Sequence, residues 1–171
     1  ILLIDIDASI NKLGPNINLL KKIAKKKIMT PLCYAGGIQS NAHALDVVGN
    51  GADRIGLDNL FRVNLKAVNE INNSLGKQAI VRLLPVNFDS LGNLRLYAYL
   101  KKSNVDVETS EEVLEGKNYS ELMVIDWKNE GKVNFFQKSI IDQFNTNKTN
   151  IIYFGGVTNS DDILFLLKKT C

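Results

Sequence analysis

Tyr34-Ala35-Gly36-Gly37-Ile38-Gln39-Ser40 and Tyr153-Phe154-Gly155-Gly156-Val157-Thr158-Asn159 are two copies of one phrase: an aromatic residue, a spacer, a glycine pair, a β-branched residue and a polar tail. Each copy follows an apolar run that ends in aspartate. The first run is Leu2-Leu3-Ile4-Asp5 and the second is Met123-Val124-Ile125-Asp126, with nearly the same gap from Asp to Gly. A unit that recurs once per half is what a duplicated half of a (β/α)₈ barrel leaves in a sequence. The glycines also carry chemistry, because a strand ending in Gly-Gly lets backbone N–H groups come close to an anion. Two such ends point to a ligand with two phosphates, one held by each half.

Outward from these phrases, strands alternate with helices. Residues 1–7, 31–35, 54–57, 78–84, 121–126 and 150–154 read as buried parallel strands, the outer ones being continuously apolar. Helices are expected over 16–27, where Ile17, Leu20, Ile23 and Ala24 share a face, and from Ser40 or Asn41 to Gly49. Further helices are expected over 62–74, 110–116, 138–144 and 161–169. Residues 87–102, centred on Asp89-Ser90-Leu91-Gly92-Asn93, read as an inserted hairpin. The pattern is α/β with a parallel sheet, in one domain covering 1–171. About six strand–helix units are visible, against the eight and typically about 250 residues of a closed barrel. Ile1 opens inside a strand-like run and Cys171 follows an apolar helical run, so both ends read as cut and the barrel as partial.

Composition narrows the function. The chain has 171 residues, 45% hydrophobic and 23% charged, with a net charge of +3, too small to argue for nucleic acid. The basic run Lys21-Lys22-Ile23-Ala24-Lys25-Lys26-Lys27 is interrupted at helical spacing and reads as a solvated helix face. Cys33 and Cys171 make no metal spacing and no CxxC, and no His/Cys/acidic cluster has ligand spacing. No metal and no cofactor are expected. With no apolar stretch of about 18 residues and no signal-type leader, the reading is a cytoplasmic protein with no membrane contact. His43, the sole histidine, reads as an ordinary helical residue. Trp127, at a strand end, packs over the barrel mouth or lines a pocket.

Leu3-Ile4-Asp5-Ile6-Asp7-Ala8-Ser9, Pro31-Leu32-Cys33-Tyr34-Ala35-Gly36-Gly37-Ile38, Gly51-Ala52-Asp53-Arg54-Ile55, Leu75-Gly76-Lys77-Gln78-Ala79, Gly131 and Gly155-Gly156 together carry a resemblance. The chain resembles the cyclase subunit family of imidazole glycerol phosphate synthase (HisF), and within it the HisF-like proteins of bacterial surface-sugar amidation. The resemblance runs from the family's second strand to its seventh helix. It implies a TIM barrel of the ribulose-phosphate-binding type. The implied chemistry is an ammonia-dependent lyase and cyclase step on a bis-phosphorylated ribulosyl substrate. The implied partner is a HisH-like glutamine amidotransferase that supplies the ammonia.

Carried over residue by residue, Asp5 matches the second-strand aspartate that supports the active site. Gly36, Gly37, Asp58 and Asn59 match one phosphate site, and Gly131, Gly155 and Gly156 match the other. Asp58 replaces a neutral residue and is expected to repel a phosphate. Phe154 replaces a small hydroxyl residue and is expected to crowd one. Glu130 stands where the family has Asp, and Asp126 is a second-half counterpart of Asp5. Asp7 falls on the strand face if the strand continues that far, and otherwise caps backbone in a loop. Pro85 lies where the family has its fifth-strand catalytic Asp, and proline cannot transfer a proton. Three readings therefore stand: a HisF-like cyclase, a catalytically silent HisF-like scaffold that docks an amidotransferase, or a partial copy with no independent function.

Overall fold

The computed structural model describes residues 1–26, 28–107, 118–144 and 150–170, which form two compact units. The helix expected over 110–116 lies outside the described residues.

The first unit holds residues 1–82 and 118–120 of those described. Its strands β1 (Leu2–Ile4), β2 (Cys33–Ala35), β3 (Arg54–Leu57) and the start of β4 (Ile80–Phe88) are parallel and adjacent in chain order. Leu3, Tyr34, Ile55 and Ile80 form one row across them. Tyr34, Ile55 and Ile80 are fully buried, so the row is part of the core. The helices are α1 (Ile6–Ile10), α2 (Ile17–Ala24), α3 (Asn41–Gly49), α4 (Leu60–Val63) and α5 (Leu65–Leu75). α3 packs on α5, and both bury a small-plus-branched stripe: Ala44 and Val47 on one, Val68 and Ile71 on the other. The lysines of α2 are exposed, as a solvated face requires.

Two expectations in this unit are corrected. The first strand stops at Ile4, because the Asp5 carboxylate accepts the Ala8 N–H at 3.1 Å and caps α1. Asp7 therefore lies in the first turn of α1, not on a strand face. The helix expected over 62–74 begins at Leu60 and breaks at Asn64. The Asn64 side chain accepts the Ala67 N–H at 3.1 Å and starts α5 afresh.

The second unit holds residues 83–107, 121–144 and 150–170 of those described. The rest of β4 pairs antiparallel with β5 (Leu94–Ala98), which pairs antiparallel with β6 (Ser103–Asp106). β7 (Glu121–Asp126) and β8 (Asn150–Phe154) are parallel, with Val124 opposite Tyr153. The helices are α6 (Lys138–Ile141), shorter than expected, and α7 (Ser160–Thr170). β4 runs to Phe88 rather than Leu84, straight through Pro85, and all but its last residue are buried. The proline falls between the residues that pair with β3, ending at Arg82, and those that pair with β5, starting at Val86, and β4 also pairs with β7. Its missing N–H interrupts neither the β3 nor the β5 register.

The hairpin is held by its turn. The Asp89 carboxylate accepts from the N–H groups of Leu91 and Asn93, both at 2.9 Å, and from Arg95 Nε at 2.8 Å. Arg95 also binds Asp106 on β6, so one guanidinium ties turn to edge strand. The Arg95 hydrogen bond, followed by that of the Asn93 N–H, pulls the Asp89 carboxyl down to about 2. A depressed carboxyl stabilises the fold above its unfolded pKa near 4, and the contribution is lost as pH falls through about 2. A carboxyl ¹³C titration of Asp89 should show a midpoint near 2. Arg95→Gln should raise that midpoint toward the ordinary aspartate range, whereas an unmoved midpoint would mean that Arg95 does not set it.

Candidate functional site

The two Gly-Gly turns have one geometry. Gly36 and Gly155 have φ of 123° and 122°, and Gly37 and Gly156 have φ of 68° and 70°. All four lie in the region that favours glycine. The first glycine of each pair is also forced by contact. A Cβ on Gly36 would meet the Asp5 carbonyl oxygen at 2.2 Å, and one on Gly155 would meet that of Asp126 at 2.7 Å. The second glycine abuts the loop beyond: Gly37 against Gly14, and Gly156 against Phe135. Each turn is thus pressed against the strand end and loop that precede it.

That approach brings a tyrosine to an aspartate in each unit. The Tyr34 hydroxyl donates to Asp5 Oδ2 at 3.3 Å and accepts the Asn16 N–H at 2.8 Å. The Tyr153 hydroxyl donates to Asp126 Oδ2 at 3.4 Å and accepts the backbone N–H of Gln137. Asn16 and Gln137 each precede the first residue of a helix, α2 and α6. One phenol therefore joins a strand end, its carboxylate and the start of the next helix. Burial, reinforced by the aspartate charge, pushes both phenols above their ordinary pKa, which keeps the donated proton in place.

The two aspartates differ in their surroundings. Asp5 is half-buried, and its second oxygen is spent on the Ala8 cap. It borders an open pocket of about 500 Å³ with Asp7, Leu13, Pro15, Asn16 and Asn18. Asp126 is fully buried, Oδ2 also takes the Asn129 amide at 2.7 Å, and Oδ1 takes no hydrogen bond from the described residues. Glu130 is exposed, and partial burial with the Asp126 charge raises its carboxyl above the ordinary range.

The structure places the other expected residues as follows. The Gly37 N–H donates to Ser9 Oγ at 2.9 Å. Gly131 takes φ of 69° in the loop after β7, with open space where a Cβ would stand. Phe154 is 46% exposed at the end of β8, on the face opposite Tyr153. Trp127 stacks on Tyr97 of the hairpin at 4.3 Å, so it packs against the insertion. His43 sits in the first turn of α3, where its Nδ1 accepts the Gln39 N–H. Asp58 is not a lone charge: its Oδ1 holds Arg62 Nη1 at 2.6 Å. Among the described residues no group of three His, Cys, Asp or Glu could hold a metal ion, and no helix is long and apolar enough to cross a membrane.

Three participants carried no role in the sequence reading: Tyr34, Tyr153 and Arg62. The tyrosines were visible as the first letter of the repeated phrase. Arg62 was visible as a basic residue four places after Asp58.

The sequence profile of the family described as "Histidine biosynthesis protein" matches residues 1–171, and the chain belongs to that family, whose fold is the TIM barrel. Imidazole glycerol phosphate synthase subunit HisF of an Exiguobacterium species is 28% identical over 170 residues, which is 97% of this chain and 66% of that protein. The HisF of Prochlorococcus marinus is 24% identical over 97% of this chain and 66% of its own length. A 1-(5-phosphoribosyl)-5-((5-phosphoribosylamino)methylideneamino)imidazole-4-carboxamide isomerase of Buchnera aphidicola is 29% identical over 98% of this chain and 69% of its own length. The chain therefore spans about two thirds of the length of these relatives, and it resembles HisF subunits and isomerases alike.

Gly36→Ala and Gly155→Ala should each cost about 3 kcal/mol or more, since strain and a backbone clash add. Gly92→Ala has positive φ but open space and should cost about 1 kcal/mol. Urea unfolding of the three variants checks the order, and equal losses would show that contact with the aspartate carbonyl is not what fixes the turn. Tyr153→Phe should cost about 1–3 kcal/mol by removing a donor from a buried carboxylate. Tyr34→Phe should cost less, because water can reach Asp5, and the same unfolding measurement compares the pair.

Proposed function

We propose that this chain is a HisF-type barrel acting on a bis-phosphorylated ribosyl substrate, in the ammonia-dependent lyase and cyclase step of histidine biosynthesis or of a related surface-sugar amidation. The observation that carries the reading is the doubled Asp–Tyr–Gly-Gly arrangement, one copy in each unit, within a family of histidine biosynthesis proteins. The isomerase relative bears a substrate name with two phosphoribosyl groups, and two Gly-Gly corners match two phosphates in number. Gly36, Gly37, Asp58 and Asn59 would serve one phosphate, and Gly131, Gly155 and Gly156 the other. HisF relatives are named as subunits, which supports a partner, and a HisH-like glutamine amidotransferase would deliver the ammonia in a cytoplasmic complex.

In this reading Asp5 acts as support. Its two carboxylate oxygens hold α1 and Tyr34, so it shapes the strand end more than it moves protons. Pro85 supplies no acid or base. Glu130 is exposed and follows the β7 strand end, and burial with the Asp126 charge raises its carboxyl above the ordinary range, the direction that suits a general acid. It is the residue assigned to proton transfer here.

A second reading, a silent barrel that docks an amidotransferase without cyclisation, is favoured by Pro85 alone. Turnover of the histidine-pathway ribotide by the full-length protein in ammonium salts separates the two. The cyclase reading expects turnover that falls about 100-fold or more in Glu130→Gln with little change in KM. Ribotide binding without turnover would favour the silent barrel, and neither binding nor turnover would remove both readings for this substrate.

A further inference from the structure

The Asp58 corner closes β3 and opens α4, and the sequence reading treats its carboxylate as an obstacle to an anion. The structure gives that carboxylate a different job. Asp58 Oδ1 takes Arg62 Nη1 at 2.6 Å, and Asn59 Oδ1 takes Arg62 Nη2 at 3.4 Å. Both acceptors belong to the corner itself, so one edge of the guanidinium is pinned by the residues that begin the turn. A guanidinium has five N–H donors in a fixed planar fork. Among the described residues two of these are taken, so the Nε edge and the outer N–H groups remain for another acceptor.

Exposure suits an ion site. The side chains of Arg62 and Asp58 are 16% and 18% exposed. That is desolvated enough for a charge-assisted hydrogen bond to be strong, and open enough for a small anion to arrive. Arg82 adds positive charge nearby, with its guanidinium 4.7 Å from the Phe61 ring centre. Burial raises the Asp58 carboxyl, opposed first by Arg62 and then by Arg82, so both cations act on this corner. An ordinary (i, i+4) pair on an exposed helix is worth little and would orient nothing. Here the pair is half-buried, has a second acceptor in Asn59, and sits at a strand end of an α/β fold, where ligands bind.

We propose that Arg62 is the anion-binding residue of the first unit, gripping a phosphate monoester through its unused N–H edge, with Asp58 and Asn59 as positioning residues that hold the guanidinium. This rests on the reading that the corner takes one phosphate of the substrate, and it names the side chain that does so. The site is selective for a dianionic phosphate over a neutral sugar, because its strength comes from charge.

The test is local. Ribose 5-phosphate and, separately, inorganic phosphate are titrated into the full-length protein while the ¹⁵N–¹H signals of Arg62 Nε and of the Gly36, Gly37 and Asn59 amides are followed. Arg62 Nε–H should shift with saturation, and Arg62→Gln should weaken binding at this corner about tenfold or more. Asp58→Asn/Arg62→Gln removes one charge of each sign, leaves the corner's charge unchanged and avoids a stranded carboxylate. It should bind as weakly as Arg62→Gln. Asp58→Asn alone keeps an acceptor for Arg62 and should bind at least as well as the unaltered protein. If the corner amides shift while Arg62 Nε–H does not, or if the double variant binds normally, Arg62 is not the anion holder although the phosphate corner stands. If no signal at the corner moves with either probe, the proposal and the phosphate reading of this corner both fall.

Discussion

The close approach of a glycine to an aspartate carbonyl, repeated in both units, is the contact on which the rest of the local architecture depends. A strand end and the turn that follows the next strand meet backbone to backbone, with no room for a Cβ between them. That spacing lets the Tyr34 hydroxyl reach Asp5 and the Tyr153 hydroxyl reach Asp126. The phenol in turn anchors the backbone N–H of the residue that precedes a helix. Strand, loop and helix are fixed by one polar junction, and the surrounding apolar rows, such as Leu3, Tyr34, Ile55 and Ile80, supply the burial that makes the junction strong.

This junction changes how the carboxylates should be understood. An aspartate at a strand end of this fold invites a catalytic reading. Asp5 and Asp126 instead spend their oxygens on structure, Asp5 fully and Asp126 on one side. The unit with the more accessible aspartate has the saturated one, and the unit with the buried aspartate adds the exposed Glu130 beside it. The duplicated frame has thus been kept while the chemistry at its two ends has diverged. Pro85 belongs to the same divergence: it lies between the stretches of β4 that pair with β3, to Arg82, and with β5, from Val86.

Much of this was legible along the chain. β3, β7 and β8 fall where the sequence places them, at 54–57, 121–126 and 150–154; β3 and β7 are mostly buried, as an apolar run requires, while β8 leaves Ile152 and Phe154 exposed. The hairpin follows from its turn residues. Two of the misjudged boundaries share one cause, a polar side chain bonding to backbone nearby. Asp5 ends a strand early by capping a helix, and Asn64 breaks a helix in two. Such bonds compete with periodicity, and the apolar pattern does not register them. The charge of Asp58 was legible, but its pairing with Arg62 four residues on is a side-chain geometry and not a pattern.

By itself the sequence determined the alternation of strands and helices, the doubled Gly-Gly phrase and the family to which both belong, because these depend on residue type and order. Tertiary structure decided what each polar group is for. Whether an aspartate caps, supports or reacts depends on which donors stand within hydrogen-bonding distance. For Asp5 and Asp126 those donors include a tyrosine separated by 29 and 27 residues. Distances of that kind arise only when the chain has folded, so the repeated tyrosine was visible in the sequence and its purpose was not.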